Sequence, residues 1–142
     1  MTTGTSDVTV TQDCIARFQD LKLAKKYTYI LYKLSEDKTQ VVVDKASTSS
    51  KYEEFTSDLP DAECRFAVYD LPYEEDGAKR NKITFVSWAP DEVDTKERKP
   101  YIVAKNALRK KLVGVMAEIQ CEDLPGVSYD SVVEAVRKQR EQ

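Results

Sequence analysis

Histidine is absent from the 142 residues. That removes serine and cysteine nucleophiles activated by imidazole, histidine metal ligands and histidine acid-base steps. Cysteine is scarce. Cys14, Cys64 and Cys121 are odd in number, widely spaced and without a CxxC pair, so neither a disulfide framework nor a metal site is signalled, and they read as small buried apolar residues. The four glycines, Gly4, Gly77, Gly114 and Gly126, never form a GxGxxG loop or a P-loop, so the phosphate-cradling motifs are missing and no cofactor is expected. No apolar run approaches the ~20 residues of a membrane span. The opening MTTGTSDVTV lacks the basic flank and apolar stretch of a signal peptide, which makes the cytoplasm the expected compartment.

Apolar residues make up 41% of the chain, enough for one core in one domain. The net charge of -3 argues against nucleic acid as the main partner. That average hides a local exception. Between Lys96 and Lys111 seven bases stand against one acid, Glu97. A segment so one-sided points to an acidic partner, and the competing reading is a solvated helix face.

Thr11 is placed to cap a helix whose apolar residues Cys14, Ile15, Phe18 and Leu21 fall on one stripe. YTYILYKL (27–34) and QVVVD (40–44) read as a hairpin across SEDKT. Ser50 and Glu53 match a capping box for a short helix carrying Tyr52, Phe55 and Leu59, which Pro60 ends. CRFAVYDL (64–71) and KITFVSW (82–88) are the next strands, joined by the acidic, Gly77-containing PYEEDGAKRN. A helix over about 94–113, a strand at 115–120 and a last helix capped by Ser128 complete the order. These elements define a single α/β domain of the α+β type, with a mixed sheet of about five strands covered by helices on both faces. Residues 1–10 read as a flexible arm and 11–142 as the domain.

On the basic helix, Arg98, Lys105 and Arg109 lie within roughly 40° of one another if the helix is unbroken. Tyr101, Ala104, Ala107, Leu108 and Leu112 occupy the side that packs on the sheet, leaving the ridge in solvent. Pro100 removes the hydrogen bond to the Lys96 carbonyl, so a kink or a helix start is expected there. The acids Glu74, Glu75 and Asp76 are of the type that carries acid-base chemistry, but a charged, Gly-containing turn needs no catalytic explanation. The chain is not expected to be an enzyme.

The stretch KRNKITFVSWAPD (79–91), followed by KNALRKKLVG (105–114) and VSYD (127–130), resembles the actin-depolymerising factor/cofilin family. The resemblance extends to FQDLKL (18–23), Leu59-Pro60 and CRFAVYD (64–70), and so covers nearly the whole chain in order. It implies an ADF-homology fold and an actin-binding protein that acts on monomers and filaments, promoting severing and depolymerisation. It also implies two surfaces. One, serving monomers and filaments, would use Ser6, Asp7, Val8, Lys96, Arg98, Lys105, Arg109 and Lys110, with the approach to the last helix around Ser128. The other, met only in filaments, would use Lys79, Arg80, Lys82, Glu134 and Lys138.

Ser6 stands at the family's regulatory serine, where a phosphate would add about -1.5 to -2 charge. Lys96, Arg98, Lys99 and Lys110 to Lys111 are positioned to attract anionic inositol phospholipids. A monomer in the cytoplasmic actin cytoskeleton is expected. The chain departs from the family pattern at Lys99-Pro100, Val103-Ala104, Asn106 and Ala135. The last bears on the filament surface and keeps open an ADF-homology adaptor with little severing, which binds actin monomers or the actin-branching complex.

Overall fold

A computed structural model describes residues 8–139. Six strands form one mixed sheet in the order β1-β3-β2-β4-β5-β6. In chain order the elements are β1 (Thr9–Val10), α1 (Gln12–Lys22), β2 (Tyr29–Leu34), β3 (Gln40–Ser47), α2 (Tyr52–Asp58), β4 (Arg65–Glu75) and β5 (Ala78–Trp88), then α3 (Thr95–Lys111), β6 (Ala117–Cys121), a 3-10 turn at Pro125–Val127 and α4 (Tyr129–Gln139). The central pairs are antiparallel, while β1 joins β3 and β6 joins β5 in parallel. The sixth strand is β1. Thr9 and Val10, assigned to the arm by sequence, pair with Gln40 and Val41, and Val10 is buried. Two residues are too few to show period-two alternation, which is why the sequence gives no sign of this strand.

Alternation along the strands divides the core. Ile30, Tyr32, Phe66, Val68, Ile83 and Phe85 face one way, toward Cys14, Phe18 and Leu21 of α1 and Ala104, Leu108 and Leu112 of α3. Leu31, Ala67, Tyr69, Leu71, Val86 and Trp88 face the other, toward Phe55 of α2 and Val132, Val133 and Val136 of α4. Tyr29, Phe55 and Tyr69 form an aromatic cluster there, with ring centroids 5.0 to 5.5 Å apart. All three cysteines are free and buried, as their scarcity and spacing suggest.

Two local expectations are corrected. The capping box at Ser50 does not form, because the cap position is Lys51 and has no side-chain bond; Ser49 instead accepts the Lys51 N–H at 3.2 Å. The segment PYEEDGAKRN is not a loose connection. β4 and β5 remain paired out to Glu75↔Ala78, and the chain reverses in the two residues Asp76 and Gly77. Both have positive φ, 55° and 79°, as a two-residue type I′ hairpin requires, and Asp-Gly is a preferred pair for that turn. The dipeptide was a readable signal, masked by the surrounding charge.

Candidate functional site

The first surface is built on α3. Asp94 caps the helix, its carboxylate accepting the Glu97 N–H at 3.0 Å. Ala104, Leu108 and Leu112 are buried against the sheet, and the Tyr101 hydroxyl accepts the Leu34 N–H at 3.1 Å. Burying a leucine such as Leu108 contributes about 1.5–3 kcal/mol, so the helix is seated along its length. Pro100 lies inside the helix rather than at its start. The Lys96 carbonyl that loses its partner belongs to an exposed residue, where solvent can satisfy it.

The basic ridge is less free than the sequence suggests. Arg98 is half-buried and donates to the Val93 carbonyl at 2.9 Å and the Pro90 carbonyl at 2.7 Å, tying the first turns of α3 to the preceding loop. Lys105 and Arg109 share one carboxylate, Glu118 of β6, each at 2.8 Å. Burial disfavours charge on Glu118, but the hydrogen bonds from Arg109 and Lys105 prevail and hold its carboxyl below the usual range. The three residues therefore share a side, as the helical spacing requires, but lean on the sheet end. No residue next to β6 in the sequence advertises Glu118 as their partner. Lys96, Lys99, Lys110 and Lys111 are exposed, with Ile102 and Val103 among them.

Val8 is half-buried and packs on the core beneath this helix, and β1 runs beside α3. The arm's end and the basic helix are thus neighbours. Ser6 and Asp7 lie outside the described residues. Ser128 accepts the Ser131 N–H at 3.3 Å, the cap expected for α4.

The second surface lies at the far end of the β4–β5 hairpin, against α4. A recess of about 840 Å³ separates them, lined by Tyr73, Lys79, Arg80, Glu134 and Arg137 among others. Lys79, Arg80 and Glu134 are thus brought together. Lys82 and Lys138 are not part of its lining. Arg80 pairs with Glu75 at 3.6 Å, and Lys138 with Glu134 at 3.7 Å. Sequence reasoning did not single out Tyr129 and Arg137 for this face. Tyr129 donates its hydroxyl to the Pro72 carbonyl, and Arg137 donates to the Glu74 carbonyl at 2.5 Å.

Among the described residues no cluster of His, Cys, Asp and Glu could hold a metal ion, and no helix is long and apolar enough to cross a membrane. Two charged faces thus lie on opposite sides of one sheet, one on α3 and one on α4 with the hairpin. Residues 7–137 match the family described as cofilin/tropomyosin-type actin-binding protein. The chain is 48% identical to cofilin of Mycosarcoma maydis, over 94% of its own length and 96% of the relative's. It is 39% identical to actophorin of Acanthamoeba castellanii, over 94% and 97%. Among solved structures it is similar to Streptomyces griseoflavus cofilin, with TM-score 0.88, 44% identity and coverage of 92% and 98%. Plasmodium berghei actin depolymerization factor 2 gives TM-score 0.83, 25% identity and coverage of 96% and 99%. The chain belongs to the cofilin/ADF family of actin-binding proteins.

Proposed function

We propose that this protein binds actin monomers and filaments in the cytoplasm and promotes filament severing and depolymerisation. The observation that supports this most is the separation of its two charged faces by the sheet: α3 packs on one side and α4 on the other. A monomer can meet one face, whereas two adjacent subunits of a filament can meet both. Exposed Lys96, Lys99 and Lys110 steer the first face toward an acidic cleft, and Ile102 and Val103 supply apolar area to desolvate against it.

A protein that prefers two subunits in a twisted arrangement shifts the filament toward that twist by its differential affinity. Boundaries between decorated and bare stretches then concentrate the strain. No covalent step is needed. A phosphate on Ser6, two residues before Val8 in the sequence, would add about -1.5 to -2 charge and weaken the first contact. Anionic inositol lipids would compete for the same lysines.

Co-sedimentation with actin filaments, with the unpolymerised fraction measured in parallel, tests the reading. Both pelleting of this protein and a rise in unpolymerised actin are expected. Absence of both across the pH range tried overturns it.

A further inference from the structure

We propose that Tyr129 and Arg137 are positioning residues: they lock the projecting end of the β4–β5 hairpin onto α4 and so fix the spacing of the charges that face the second subunit of a filament. The filament part of this rests on the two-surface reading above.

The hairpin outgrows its sheet. β4 and β5 pair with each other from Arg65↔Trp88 to Glu75↔Ala78, but β2 accompanies β4 only through Phe66–Tyr69 and β6 accompanies β5 only through Thr84–Trp88. The backbone bonds from Asp70 N–H to the Thr28 carbonyl and from Met116 N–H to the Ile83 carbonyl end the support on the two edges. Beyond them a two-stranded ribbon runs on and, among the described residues, no strand lies beside it. Such a ribbon is marginal alone, and this one carries Lys79 and Arg80 near its tip.

Two bonds from α4 reach it. Tyr129 starts the helix and donates to the Pro72 carbonyl; Arg137 lies in its last turn and donates to the Glu74 carbonyl. The acceptors are two residues apart on β4, so they leave the strand in the same direction. Tyr73, between them, is buried in the same apolar cluster as Val132, Val133 and Val136 of α4. The ribbon is thereby pinned at two points along the helix that carries Glu134 and Lys138. Arg137 spends its hydrogen bond on a neutral carbonyl, and among the described residues no carboxylate lies within ion-pairing distance of it. The bond thus ties backbone to helix without cancelling the charge of the face.

The experiment compares Tyr129→Phe, Arg137→Ala, their combination and Arg137→Lys in the full chain. Amide hydrogen exchange reads the lock without actin. The double variant should exchange the Leu71–Lys82 amides roughly tenfold to hundredfold faster, as two lost hydrogen bonds imply, while amides of β2 and α3 keep their protection. Co-sedimentation with filaments should weaken about threefold to tenfold, with binding to monomeric actin unchanged and Arg137→Lys recovering most of the loss. Unchanged exchange in the double variant overturns the lock. Faster exchange with unaltered filament binding overturns its positioning role, provided that Lys79→Ala with Arg80→Ala does weaken filament binding. If that pair also leaves filament binding intact, it is the two-surface reading that fails, and exchange alone then judges the lock.

Discussion

The two charged faces are held in opposite ways. α3 is anchored by what it buries, with Ala104, Leu108 and Leu112 under the helix and Lys105 and Arg109 drawn onto Glu118. The hairpin end is anchored by two side-chain bonds to its backbone and, where it leaves the sheet, by two buried side chains, Leu71 and Tyr73. Apolar burial is non-directional and large, so the helix tolerates a proline in its second turn. Hydrogen bonds contribute less but set direction, so the ribbon depends on particular atoms. On the proposed reading, the surface that meets one subunit is built into the core, and the one that meets a second subunit is braced from outside.

The largest blow to this contrast comes from Leu108→Ala, which should cost about 2–5 kcal/mol in urea denaturation because the site is closed and cannot collapse fully. A loss under 1 kcal/mol would mean that α3 is not held by its buried face. Next, Gly77→Ala puts a side chain on a residue at φ 79° and should cost about 1 kcal/mol. Nothing crowds that position, so the penalty is conformational, and it should show as faster exchange in the ribbon with α3 unaltered. If the loss were spread evenly over the sheet, the ribbon would not be the separate unit described.

The smallest effect concerns Glu118→Gln. The lowered pKa of Glu118 means that its contribution is whole above the ordinary carboxylate range and is lost as pH falls through the depressed value. The thermal midpoint of the variant should therefore lie below that of the parent near neutral pH, and the gap should close as acidification passes below the ordinary carboxylate range. A gap that stays constant with pH would assign the loss to packing and not to charge.

Most of the architecture could be read from the chain because its signals are local. The Cys14, Phe18 and Leu21 stripe, the alternating strands and Pro60 each announce an element through its own residues, and the cap at Ser128 forms as expected. What escaped was set by distant partners. Thr9 and Val10 become a strand only because β3 offers an edge, and Arg98, Lys105 and Arg109 are tethered, still part-exposed, by groups that no helical wheel displays. Tyr129 and Arg137 reach backbone carbonyls more than fifty positions away. A carbonyl has no letter in a sequence, so residues whose task is to grasp one stay silent there.

Glu118 also bears on how a charged partner approaches α3. Because it already neutralises part of the cationic rod, the number of counterions that an approaching polyanion can displace is smaller than the seven lysines and arginines between positions 96 and 111 imply. Encounter rates should then fall with added salt only as steeply as the outward lysines, Lys96, Lys99, Lys110 and Lys111, dictate.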